Sequence, residues 1–255
     1  MNRTRATAPG ESRPLQSGQA EVETAIVLPL VVFMLLGLLQ LGLLNQAWVI
    51  TKYAAYRAVR TGALRNLDTK AMEAVAVAVA LPLLSDPGGG MHGLSKSYDS
   101  DTWALKYKHA AFRTNQMTGL ELKFASVEIK APTRCELPLL EGEANDVFGE
   151  KFVPFDLVTT GGRGILTKLR IELTINLPMI IPFANMVIFS FWRGTNALPF
   201  VGRKPPAPVA DAAVDGYDRA RQAGVYVLPI RAQYAMKMHS DFPLSALPAG
   251  TNCNP

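Results

Sequence analysis

The sequence has only two cysteines and three histidines in 255 residues. A structural zinc site wants about four Cys or His ligands at short spacings, and Cys135, Cys253, His92, His109 and His239 offer no such grouping. A disulfide-dense scaffold is excluded on the same ground, which leaves one bridge or two free thiols. The net charge is +5, but the basic residues are scattered and no run of them resembles a nucleic-acid arm. Walker loops, G-x-S-x-G elbows and H-E-x-x-H sites are missing. Gly161-Gly162-Arg163-Gly164 lacks the lysine and hydroxyl of a phosphate loop. Glu141 and Glu143 stand either side of Gly142 on a loop, where solvated charge is the ordinary reading and an acid–base pair the exceptional one. The expectation is no catalytic residue, no metal, no cofactor and no nucleic-acid partner.

Charge is absent altogether from Thr24 to Thr51, a run of 28 residues rich in Leu, Val and Ile. As a helix it would extend roughly 40 Å, more than the ~30 Å hydrocarbon core of a bilayer. The run is too long for the apolar core of a secretory signal peptide, and it ends in Asn45-Gln46-Ala47-Trp48 instead of a small-residue cleavage site. It is therefore expected to stay and to span. Trp48, Tyr53 and Tyr56 stand where an interfacial aromatic belt would stand, with Lys52 and Arg57 positioned to snorkel. The helix is expected to continue to about Leu64. Arg3, Arg5 and Arg13 precede the span while Lys52, Arg57, Arg60 and Arg65 follow it, so charge leaves the orientation open. Pro29 lies inside the run, where it removes a bond to the Ala25 carbonyl and marks a possible kink, although proline is also ordinary in membrane helices.

Immediately before and into this run the chain reads Ser17-Gly18-Gln19-Ala20-Glu21-Val22-Glu23-Thr24-Ala25-Ile26-Val27-Leu28-Pro29-Leu30. This resembles the prepilin-peptidase site of type IV pilins, and most closely that of TadE-like minor pseudopilins. In those a Gly is followed by a Glu at the fifth mature position and by an apolar stretch with Leu-Pro-Leu. The resemblance implies cleavage between Gly18 and Gln19, with Glu23 as the assembly glutamate. It implies a leader over 1–18, a membrane-spanning and extended helix over 19–66 and an extracytoplasmic domain over 67–255. Its implied setting is a single-pass protein of the bacterial inner membrane, with the C-terminal domain in the periplasm or on a pilus. The implied partners are the prepilin peptidase, other pilin or pseudopilin subunits and the pilus assembly platform.

Residue chemistry agrees on Glu23. A carboxylate at the start of a membrane helix is costly unless paired, and such residues usually mark a function. Cleavage would create an α-amino group at Gln19, four positions earlier and so on the same helix face. The pair would form within one subunit or between neighbours; the alternative is a Glu that merely favours the helix N-terminus.

Beyond the anchor, Asp68 is a helix cap for a segment through Met72, Val75 and Val79 that Pro82 closes. A loop from Ser85 to Thr102 leads to a predicted helix over Trp103–Gln116. Leu122, Phe124, Val127 and Ile129 predict a strand with a bulge at Ala125-Ser126. Leu169, Ile171, Leu173, Ile175 and Leu177 alternate with Lys168, Arg170, Glu172, Thr174 and Asn176, the pattern of a strand with one buried and one wet face. A last strand runs from Val225 to about Met238, with a parity switch near Leu228-Pro229. The fold class is α+β: a long N-terminal transmembrane helix continuing into a domain of short helices and an antiparallel β-sheet. The apolar segment Leu177–Trp192 is short for a second span, and membrane-touching loop, partner surface and buried crossover all remain open. Glu136–Asp156 and Arg193–Ala223 read as surface excursions. Cys135 follows the first strand and Cys253 lies in the tail, so a bridge would tie the tail to the sheet if the domain is extracytoplasmic.

Two functions fit these features besides the weak option of a membrane-anchored periplasmic enzyme. One is a minor pseudopilin, a structural component of a Tad-type (type IVb) pilus or related secretion apparatus. The other is an uncleaved, membrane-tethered binding protein or adhesin.

Overall fold

The uncharged run lies within one helix, α1, from Ser17 to Leu64. A computed structural model describes residues 17–84, 100–117, 120, 122–134, 144–147, 149–156, 167–193 and 212–248. At about 1.5 Å per residue, 48 residues extend roughly 72 Å, so α1 outruns any bilayer. It divides by surroundings into two parts. Every residue from Glu21 to Leu35 is exposed, whereas from Ala47 onward one face is buried through Thr51, Ala54, Ala55, Ala58 and Ala63. Small residues on that face let a sheet approach the helix axis closely. The helix is uninterrupted at Pro29, as a proline in an apolar segment allows.

At the end of α1 the carbonyl of Gly62 accepts from Leu67 N–H at 3.1 Å, and Asn66 and Leu67 take positive φ to reverse the chain. Asp68 then caps α2 (Thr69–Ala80), its Oδ1 accepting from Lys70 N–H at 3.0 Å and Ala71 N–H at 3.2 Å. Pro82 stops that helix in a 3₁₀ turn, Leu81–Leu83. The freed carbonyls of Leu81 and Leu84 are met by the buried ammonium of Lys106. The predicted Trp103–Gln116 helix is two shorter ones, α3 (Ser100–Lys108) and α4 (Ala110–Arg113). Asn115 prevents continuation: it adopts φ 55° and turns its amide to the Ala125 backbone, accepting from its N–H at 2.8 Å and donating to its carbonyl at 2.5 Å.

The main sheet is antiparallel in the order β1-β4-β5, with β1 at Ala125–Ala131, β4 at Lys168–Pro178 and β5 at Val227–Lys237. The alternation of β4 is realised: Leu169, Ile171, Leu173 and Ile175 are fully buried beneath α1, while α2 covers β1. Each such side chain contributes roughly 1.5–3 kcal/mol by burial. The bulge in β1 falls between Ile129 and Ala131, not at Ala125-Ser126. Phe124 belongs to the preceding turn, where its N–H reaches the Asn115 carbonyl at 3.3 Å. In β5 the buried positions change parity as expected, from Val225 and Val227 to Ile230 and Ala232, but without a break in register: its pairing with β4 runs continuously from Lys168↔Lys237 to Pro178↔Val227. As an edge strand β5 tolerates a residue without an N–H.

Asn176, expected on the wet face, is buried. Its Nδ2 donates to the Lys123 carbonyl at 2.7 Å and its Oδ1 accepts from the Tyr217 hydroxyl. Two expected excursions hold regular structure. Asn145–Val147 (β2) and Glu150–Val153 (β3) form a hairpin that Phe242–Pro243 (β6) extends. Ala184–Arg193 forms α5, and within the expected surface connection Ala212–Gln222 forms α6. The fold is α+β, with the second half of α1 built into the domain core.

Candidate assembly site on the long apolar helix

Gly18 and Gln19 fall in the first turn of α1, and Glu23 follows one turn after Gln19. Among the described residues no cation pairs with the Glu23 carboxylate. Glu23 and Thr24 head an open groove that continues along Val27, Leu28, Val31 and Val32. The helix is exposed here from Glu21 to Leu35, so its carboxylate and apolar sides are presented outward together. Chemically this is a surface that a lipid phase or other apolar helices would cover, with one anionic point near its start.

Of the residues expected in an aromatic belt, Trp48 and Tyr53 are exposed on α1. Lys52 places its ammonium 3.6 Å from the centre of the Trp48 ring, and Arg57 donates to the Tyr53 hydroxyl at 3.3 Å. Tyr56 is a correction. It turns inward and meets Tyr234 of β5 edge-on, with ring centres 5.4 Å apart, because it lies on the face of α1 that packs on the sheet.

One polar residue of α1 escapes a reading based on charge. Gln40 is 1% exposed, and its Oε1 accepts from the backbone N–H of Ile181 at 3.2 Å. An amide set between Leu39 and Leu41 inside a 28-residue uncharged run was the available signal; its partner, 141 residues away, was not. Cys135 and Cys253 lie outside the described residues. Among the described residues no three His, Cys, Asp or Glu side chains gather as a metal-binding group.

The helix therefore carries an exposed apolar surface long enough to cross a membrane, with Glu23 at its start. Residues 18–60 match the family model described as TadE-like protein. The TadE-like match lies wholly within α1 and contains Gly18, Gln19, Glu23, Pro29 and Gln40. No curated protein and no solved structure matches the chain. The TadE-like segment thus comprises the free half of α1 and most of the half that is built into the domain, and the chain fits a single-pass membrane protein.

Proposed function

We propose that this chain is a minor pseudopilin, a structural and non-enzymatic component of a Tad-type (type IVb) pilus or a related secretion apparatus. The observation that carries the proposal is Glu23, one turn after Gln19 at the start of a TadE-like apolar helix and, among the described residues, without an ionic partner. In this reading prepilin peptidase removes residues 1–18, and the new α-amino group of Gln19 becomes the cation for a Glu23 carboxylate. Pairing between neighbouring subunits sets their axial register, since an unpaired charge in hydrocarbon is costly. Apolar surfaces of neighbouring helices cover the free half of α1 when the protein leaves the bilayer. The domain after residue 66 stands on the periplasmic side of the inner membrane or on the pilus, and the partners are other pilin-like subunits and the assembly platform.

The test is intact mass and N-terminal sequencing of protein recovered from the membranes of its own cells. A mature start at Gln19, with or without a methyl group, is expected. A start at Met1 or Asn2 overturns the proposal and favours a tethered binding protein.

A further inference from the structure

The segment Leu177–Trp192 carries no charged residue, yet it is not simply core. Phe183 and Phe191 are each 68% exposed, and Met186 and Trp192 are exposed beside them. Phe183 also has φ +64°, an uncommon conformation for a bulky side chain and one associated with functional positions. A strained, outward-facing phenyl ring is an odd feature for a surface meant to meet water.

Its height along α1 suggests what it meets. The Ile181 N–H is bound to Gln40, 17 residues after Glu23, or about 26 Å along the helix axis. If Glu23 marks one boundary of a hydrocarbon core roughly 30 Å thick, Gln40 lies just inside the other. Around it on α1, Leu38, Leu39 and Leu41 are exposed to much the same degree as Phe183. The apolar surface of the span and that of the segment are therefore continuous at one depth.

The backbone is dressed for such surroundings. Irregular backbone at membrane depth persists only where its polar groups find partners within the protein. Met179 N–H donates to the Tyr226 carbonyl at 2.8 Å, Ile181 N–H to Gln40, Ala184 N–H to the Pro182 carbonyl at 2.8 Å and Asn185 N–H to the Ile181 carbonyl at 3.1 Å. The hydroxyl of Ser190 donates to the Met186 carbonyl at 2.7 Å. On the side away from α1, Phe189 packs on Tyr226 and Trp192 on Tyr217, which fixes α5 to the domain. The first charge after the segment, Arg193, pairs with Asp218 of α6.

We infer that the turn before α5 and α5 itself form a second, non-spanning membrane contact. Phe183, Met186 and Phe191 sit among the acyl chains of the leaflet at the C-terminal end of the span, and Gln40 docks the turn at that depth. The membrane-embedded protein is then held at two points, which fixes the rotation of the domain about α1. This contact depends on α1 spanning a bilayer, not on cleavage or on a pilus.

The test places a photoreactive benzophenylalanine at Phe183 and, separately, at Phe191 in the full chain, reconstituted into vesicles of phosphatidylethanolamine and phosphatidylglycerol. Both positions are exposed, so either variant folds even if the other does not. A third variant at Tyr234, exposed on β5 and level with Tyr56, is the control above the membrane. The expected result is acyl-chain adducts on the peptides bearing positions 183 and 191, at least tenfold above those at 234. Adducts to a second copy of the chain in place of lipid, or lipid adducts no more frequent than at 234, overturn the inference. An intact N-terminus on protein recovered from the membranes of its own cells would sink the pseudopilin reading while leaving this one standing.

Discussion

The hydroxyl of Tyr217 donates to Oδ1 of Asn176 at 2.7 Å, joining α6 to the central strand of the sheet. Asn176 spends its other amide atom on the Lys123 carbonyl, so three distant stretches of chain meet at one buried amide. Burial raises the Tyr217 pKa above its ordinary value of 10.0, against smaller opposing effects of Arg231 and of the bond to Asn176. A folded pKa above the unfolded one means stability that is complete below pH 10 and is lost as pH rises through the folded value. Tyr217→Phe removes that alkaline loss but leaves Asn176 Oδ1 without its donor, at about 1–3 kcal/mol. Thermal unfolding in detergent is therefore expected to show the variant less stable at pH 7, with a shallower decline above pH 10. Parallel curves for the two proteins across that range would refute the assignment.

A β-carbon added at Gly62 would lie 2.3 Å from Sδ of Met72 and 2.9 Å from a methyl of Leu169. Both neighbours are fully buried, so neither can swing aside, and overpacking of this kind costs about 1–3 kcal/mol. The gain in helix propensity from Gly to Ala, about 1 kcal/mol, offsets only part. Gly62→Ala is expected to lower the unfolding midpoint, and Gly62→Ala with Met72→Ala to cost less than the sum of the two single changes. Strict additivity in denaturant titrations would show that α1 and α2 can move apart without penalty.

What could be read in advance was what is periodic or local. The long uncharged helix, the Asp68 cap and the alternation of β4 each follow from residues within one element, and each is as expected. Asn176 occupies a position that alternation assigns to water, and only the arrival of α6 buries it. That helix was itself concealed, because the Pro- and Gly-rich composition before it dominated the reading of Arg193–Ala223, although its own stretch from Ala212 is Ala-rich and charged. The β2–β3 turn had a short-range signal: Gly149 takes φ +83°, and its N–H donates to Asp146 Oδ1 at 3.0 Å. The contact between Gln40 and Ile181 had none. A hydrogen bond between positions so far apart is set by tertiary packing, to which hydropathy is blind.

Arg134 binds the segment after β6 twice, its backbone N–H donating to the Pro248 carbonyl and its Nε to the Leu247 carbonyl, each at 2.9 Å. Cys135 is the next residue, and Cys253 follows Pro248 by five, a span of up to about 17 Å. A disulfide between them is thus within reach and is proposed for the protein in an oxidising compartment. Alkylation of non-reduced, denatured protein from native membranes is expected to label neither cysteine. Two labelled thiols would exclude the bridge.

Glu23 stands one turn from Gln19 on the outward surface of α1, so its carboxylate is open to a cation from its own chain or from a neighbour. The two cases separate in one experiment. If the amino group created by cleavage pairs with Glu23 within the same subunit, replacing Glu23 alters the isolated, processed protein and leaves assembly little changed. If the pair forms between subunits, Glu23→Ala and Glu23→Gln are both cleaved and stable in the membrane but are excluded from the assembly. A loss of about 2 kcal/mol, at the upper end for a charge at a partly buried helix terminus, corresponds to roughly a thirtyfold fall in co-purification with partner subunits. Gln is expected to fare no better than Ala, since it retains the shape and the hydrogen-bonding atoms but not the charge. Recovery of Glu23→Gln at the wild-type level in the sheared pilus fraction would remove charge pairing as the register device and leave helix packing alone to set it.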